Sequence, residues 1–128
     1  MKIIFLDIDG VLNCEHRFKH KWCSKRNEFG HLFYPPSKSL LNELINKTNA
    51  KIVISSTWRH DGLDVMQKMW KLREMAGNVI DITPSFGSIN SLDYVHNNKN
   101  KEIKYSLPRG IEIDVWLEWN NFRHIFWY

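Results

Sequence analysis

The chain has 128 residues, enough for one domain with a core of its own, and its 43% hydrophobic and 25% charged content is that of an ordinary globular protein rather than a fibrous or disordered one. A net charge of +4 at pH 7 favours anionic substrates through long-range attraction but does not by itself establish nucleic-acid binding. Two cysteines, Cys14 and Cys23, are too few for a disulfide framework, no apolar stretch approaches the ~20 residues that cross a membrane, and the first residues acquire charge too early for a signal peptide; the expectation is a reduced, cytoplasmic protein.

Residues 2–6, KIIFL, are a continuous apolar run, the pattern of a strand buried on both faces of a parallel sheet. Residues 13–36 are polar, basic and aromatic without a clean period and read as a long excursion closed by Pro35 and Pro36. Ser37 or Ser39 then caps a helix with Leu40, Leu41, Leu44 and Ile45 on one face. KIVIS, residues 51–55, is a second buried strand, so strand, helix and strand form a βαβ unit. After the loop SSTWRHDG, residues Leu63, Met66, Met69, Trp70 and Arg73 recur at helical spacing over residues 63–76, with Gly77 in the C′ position. NVIDITP reads as a third strand, ended by Pro84. Residues 85–108 are rich in Ser, Asn and Lys and read as a surface loop or flap. A last helix over residues 110–119 carries Ile113, Trp116 and Leu117 at i, i+3 and i+4, and FRHIFWY, residues 122–128, reads as a fourth strand. Of six tryptophans, Trp70 and Trp116 fall on apolar helix faces, and packing is also the favoured role of Trp58.

This alternation predicts an α/β fold with a parallel sheet, in a single domain over residues 1–128. Ligands of such sheets bind beyond the carboxyl ends of the strands, where DIDG and SSTWR both fall. Asp7 and Asp9 stand at i and i+2, which share a face in extended backbone, and a turn at Gly10 brings both carboxylates to one cavity. Two close carboxylates repel unless one is protonated or a divalent cation lies between them, and oxygen donors suit Mg²⁺. One carboxylate would then serve as nucleophile and the other as general acid and base; the plain alternative is a pair that only caps a loop. For Ser55 and Ser56 the alternatives are a phosphate contact and a simple Ser/Thr turn. Arg59 is open between substrate phosphate and an ion pair with Asp61. Cys14, His16, His20 and Cys23 do not have the spacing of a structural zinc site, and a polar flap is preferred there.

FLDIDGVLN closely resembles the first signature of the haloacid dehalogenase-like (HAD) superfamily, and KIVISSTWR its second. The combination of DIDGVLN, SSTWR, TP and RGIEIDVWL is similar to a small HAD subfamily also found in bacterial RNA-repair proteins, over nearly the whole chain. The resemblance implies a three-layer α/β/α Rossmann-like core without a large cap, residues 13–36 and 85–108 being excursions. It implies a Mg²⁺-dependent phosphatase working through an aspartyl-phosphate, with Asp7 as nucleophile and Asp9 as acid and then base. Both aspartates would be metal ligands, Asp9 through its backbone carbonyl. Ser55 would bind a phosphoryl oxygen, with Ser56 as the alternative one position on. Arg109 would supply the cation of the third signature, because RG begins the last helix where the family places it; Lys101 and Lys104 lie nearby.

The fourth signature is an acidic pair after the fourth strand, and the chain stops at Tyr128, where that pair would begin. Asp81 and Asp114 fall on a strand and a helix, and Asp61 is the weak substitute. The expectation is a sheet truncated after its fourth strand, with the edge IFWY open to pairing with a second copy of the chain. Three readings follow: a Mg²⁺-dependent phosphomonoester hydrolase, a catalytically impaired phosphate- or nucleic-acid-binding module, and a fragment of a longer phosphatase. The partner expected is a phosphorylated substrate, with a nucleic-acid end favoured slightly by the basic charge.

Overall fold

A computed structural model of the chain describes residues 1–13, 25–85, 88–90, 104–106 and 108–122. Contacts divide it into two compact units, Met1–Ile82 and Thr83–Tyr128.

The first unit is built on a three-stranded parallel sheet of β1 (Ile3–Leu6), β4 (Lys51–Ile54) and β5 (Val79–Ile82), in the order β1-β4-β5. In the central strand Ile52, Val53 and Ile54 are each 0% exposed. Successive side chains point to opposite faces, so three buried in a row mean that both faces of β4 are covered. Fully burying side chains of this size contributes about 1.5–3 kcal/mol each. The α/β class expected from the apolar runs is the one observed.

Between β1 and β4 the chain first makes a short antiparallel hairpin, β2 (Arg26–Asn27) with β3 (Gly30–His31), and then helix α1 (Pro35–Thr48). The hairpin has no counterpart in the expected excursion: each strand has two residues, too few to show a period in sequence. The excursion's ends are joined by a hydrogen bond from the Tyr34 N–H to the Leu12 carbonyl, 2.6 Å. Neither Ser37 nor Ser39 caps α1. Tyr34 is the N-cap and makes no side-chain capping bond, while Pro35 and Pro36 occupy the first helical positions. Proline has its φ preset for a helix and no N–H to satisfy there, so the helix starts earlier than a serine cap predicts. The apolar face also differs. Ile45 is buried and Leu41 packs against the core, but Leu40 and Leu44 are 69% and 48% exposed; one residue along a helix is a rotation of about 100°, and the inward stripe runs through residues 41 and 45.

A 3₁₀ helix (Thr57–Asp61) and α2 (Leu63–Leu72) connect β4 to β5. Met66, Met69 and Trp70 are buried as their spacing predicts. The expected continuation to residue 76 is absent: Arg73 is the C-cap and Glu74 has φ 55°. The backbone beyond finds partners off the helix, because the Trp70 indole N–H donates to the Ala76 carbonyl (2.9 Å) and the Ala76 N–H donates to Asn42 Oδ1 (2.8 Å). Gly77 is therefore not the cap of α2 but a turn residue with φ 68°, close against Ile45 of α1.

In the second unit β6 (Ser88–Asn90) pairs antiparallel with β7 (Lys104–Ser106), so a hairpin occupies part of the expected loop. Helix α3 (Arg109–Trp119) follows, burying Trp116 and, unexpectedly for a carboxylate, Glu112. Phe122, expected to open a strand, instead folds back and stacks on Trp116 with ring centroids 5.7 Å apart and planes 9° apart, the chain turning at Asn121 (φ 59°). The remainder of the expected fourth strand with its proposed dimer edge lies outside the described residues, as do Cys14, His16, His20, Cys23 and Lys101. Among the described residues no helix is long and apolar enough to cross a membrane.

A Cβ built on Gly77 would lie 2.6 Å from Ile45 Cγ2 at a positive φ, whereas one on Gly110 in α3 would meet nothing within 4 Å. Gly77→Ala is expected to cost about 1–3 kcal/mol through overpacking, and Gly110→Ala to be neutral or stabilising by about 0.5–1 kcal/mol. Urea denaturation of the two variants checks the contrast.

Candidate active site

The carboxyl end of β1 is shaped by one turn. Leu6 and Ile8 are buried and Asp7 and Asp9 are exposed in alternation with them, so the alternation of the strand carries on past its last ladder residue and keeps both carboxylates out of the core. The Ile8 carbonyl then accepts from the N–H groups of Val11, Leu12 and Asn13 at 3.2, 2.9 and 3.4 Å, wrapping the chain back on itself, with Gly10 at φ 76°. Ile8 and Leu12 are the apolar anchors of this turn, 0% and 1% exposed.

Parallel pairing sets what faces the turn. The register matches Leu6 with Ile54, and the Ser55 N–H extends the ladder to the Leu6 carbonyl at 2.8 Å. The next residues along the two strands are thus Asp7 and Ser55. Ser55 is buried. Ser56 is fully buried and acts differently, since its hydroxyl accepts from the Trp58 N–H at 3.4 Å and caps the 3₁₀ helix. Arg59 is buried as well, and its guanidinium donates to the Ser56 carbonyl at 2.8 Å, drawing the SSTWR segment closed. Arg109 is the first residue of α3 in the second unit. Of the other acids weighed, Asp61 ends the 3₁₀ helix, Asp81 lies on β5 with its carboxylate accepting from the Ile82 N–H, and Asp114 is on α3.

Asp7 Oδ1 accepts from the Ile8 N–H at 2.9 Å. Asp9 is held by side chains from two parts of the sequence: its Oδ1 accepts from Asn13 Nδ2 at 2.7 Å and from the Trp58 indole at 3.0 Å. Asn13 in turn accepts the Gly10 N–H at 2.9 Å, so one amide fixes both the turn backbone and the carboxylate. Neither role is legible in the sequence. Asn13 stands four residues after Asp9 in DIDGVLN, a spacing that only a closed turn makes meaningful. Trp58 packs against the core as expected but also directs its single polar atom to Asp9.

This rim offers hard oxygen donors. Among the described residues no group of three or more His, Cys, Asp or Glu is placed to hold a metal ion. The Asp7 carboxylate and the Asp9 backbone carbonyl nonetheless fit Mg²⁺, which keeps several waters and is commonly bound by one or two carboxylates together with substrate phosphate oxygens. Asp7 through its carboxylate and Asp9 through its backbone carbonyl are the residues that would hold it.

Asn13→Ala removes two hydrogen bonds from the turn. The expected cost is about 0.5–1.5 kcal/mol per bond, and faster hydrogen exchange of the Gly10 amide, measured by NMR, would show that the turn itself has loosened.

Residues 3–127 match the family described as "HAD domain in Swiss Army Knife RNA repair proteins". No curated protein and no solved structure matches the chain. Taken with the parallel sheet, the acidic pair after β1 and the serine pair after β4, the match over nearly the whole length establishes that the chain belongs to this family of HAD domains.

Proposed function

We propose that this HAD-family hydrolase is a Mg²⁺-dependent phosphomonoesterase that works through an aspartyl-phosphate on Asp7. The observation that carries the reading is the register of β1 and β4: it sets Asp7 beside Ser55 while Asp9, two residues on and also exposed, is anchored through one oxygen by Asn13 and Trp58.

In the first step an Asp7 carboxylate oxygen attacks phosphorus, the bond to the ester oxygen breaks, and Asp9 gives that oxygen its proton. In the second step Asp9 takes a proton from water, the water oxygen attacks the phosphorus of the acyl phosphate, and inorganic phosphate leaves with the Asp7 carboxylate restored. Dividing hydrolysis between a nucleophile and one acid and base lets each barrier be lower than direct attack by water. Ser55 is the hydrogen-bond partner of a phosphoryl oxygen in this reading. Arg109 takes the role of the charge-offsetting cation on sequence order alone, and Arg59 shapes the loop that carries the serines. Mg²⁺ bound by Asp7 and Asp9 would offset the negative charge that gathers on the phosphoryl oxygens.

For substrate we favour a phosphorylated RNA end. The family's description names RNA-repair proteins, Asp7 and the turn at Gly10 are exposed, and the net charge of +4 attracts polyanions. A cytoplasmic location, expected from the two cysteines, is part of the same proposal.

The test is release of inorganic phosphate from an aryl phosphate and from a terminally phosphorylated RNA oligonucleotide, with and without Mg²⁺. Turnover is expected only with the metal. Asp7→Asn should abolish it, and Asp9→Asn should lower it by about 10²–10⁴-fold, the usual range for a general acid and base. Turnover no higher than that of Asp7→Asn would overturn the phosphatase reading. Binding of the phosphorylated RNA without turnover would move the assignment to a binding module.

A further inference from the structure

Arg73 is buried, 8% exposed, and its guanidinium donates to neutral oxygens of the β2–β3 hairpin. One terminal nitrogen donates to the His31 carbonyl (2.8 Å), and the other to Asn27 Oδ1 (2.8 Å) and the Gly30 carbonyl (3.4 Å). Desolvation pulls its pKa down to about 10, which leaves it protonated at neutral pH. Taking a cation out of water against neutral partners costs free energy, and among the described residues its Nε is buried without a hydrogen-bond partner.

The guanidinium also faces two rings. Its central carbon lies 4.4 Å from the Phe33 ring centroid and 5.4 Å from that of Trp58, within range of cation–π attraction. Phe33 and Trp58 are themselves 6.2 Å apart, with their planes tilted by 40°. On a further side the Trp58 ring meets the hairpin, where a Cβ added to Gly30 (φ 103°) would stand 3.2 Å from its ring carbon Cη2. The indole is therefore confined by Arg73, Phe33 and Gly30, and its N–H donates to Asp9.

We propose that Arg73 is a positioning residue for the general acid: by clamping the β2–β3 hairpin and the Trp58 ring in one assembly, it aims the indole N–H at Asp9 Oδ1 and so directs the other carboxylate oxygen, Oδ2, towards the leaving group. The inference rests on the phosphatase reading for its consequence, but the clamp itself is a matter of structure. Among the described residues both side-chain hydrogen bonds of Asp9 go to Oδ1, which leaves Oδ2 as the oxygen that can reach a leaving group. A lysine cannot replace Arg73, because an ammonium group lacks the planar fork that reaches three oxygens while lying over two rings.

Two measurements test it. The first is independent of activity: solvent exchange of the Trp58 indole N–H by NMR, its signal assigned by its loss in Trp58→Phe. It should exchange more slowly than the indole of exposed Trp119, and Asp9→Ala and Arg73→Lys should each speed it and shift its resonance. The second compares kcat/KM for an unactivated alkyl phosphate with that for 4-nitrophenyl phosphate, whose leaving group needs little protonation. Trp58→Phe keeps an aromatic ring and loses the N–H; it should lower the alkyl value by about tenfold or more and the nitrophenyl value by about threefold or less. Arg73→Lys should show the same asymmetry. An indole that exchanges freely in the wild type, or that is insensitive to Arg73→Lys, overturns the clamp; equal losses on both substrates overturn the link to the general acid. If the wild type hydrolyses neither substrate, the phosphatase reading fails, and the NMR measurement still decides whether Arg73 sets the Trp58–Asp9 bond.

Discussion

The parallel pairing of β1 with β4 is the constraint on which the first unit depends. Two short apolar strands, four residues each, lie in register from Ile3 opposite Lys51 to Leu6 opposite Ile54. A slip of one residue would turn each side chain to the opposite face of the sheet, and it would also separate Asp7 from Ser55. Both faces of β4 are covered, so the pairing itself, carried on by the Ser55 N–H to the Leu6 carbonyl, sets which residues meet at the strand ends. The position where the ladder stops is equally constrained. Ile8, one residue beyond Asp7, is fully buried and its carbonyl collects three N–H groups, so the chain turns there and presents Asp9 on the same rim.

Hydrogen bonding at that rim divides the labour among groups that look alike in sequence. Ser55 and Ser56 are adjacent, yet Ser56 is committed to capping the 3₁₀ helix while Ser55 is the residue aligned with Asp7. Asp7 and Asp9 differ in the same way. Asp7 bonds its neighbouring backbone N–H, whereas one oxygen of Asp9 receives two side-chain donors from residues far apart in the chain. Such a double anchor fixes the orientation of the Asp9 carboxylate, and the Trp58 ring that supplies one of its donors is itself in contact with Phe33, Arg73 and Gly30.

Elements with strong apolar runs or helical periods are legible in sequence: β1, β4 and β5 from runs of Ile and Val, and α2 from Met66, Met69 and Trp70. Element ends are not. The start of α1 lies in the local Pro35–Pro36 pair, which competes in the sequence with two serine caps, and the stop of α2 is accompanied by a bond from Ala76 to the distant Asn42, which no local pattern carries. The inward stripe of α1 is ambiguous because Leu40, Leu41, Leu44 and Ile45 are all apolar, and only packing against the sheet selects two of the four.

By itself the sequence determined the α/β class, the acidic pair after the first strand, the serines after the second and membership of the HAD family, because these are read from residues in chain order without any tertiary contact. Tertiary structure decided which serine aligns with Asp7, how Asn13 and Trp58 hold Asp9, and that a buried arginine stands behind them. Those relations join residues 4 to 49 positions apart; they exist only once the parallel register and the closed turn at Ile8 have brought the residues together.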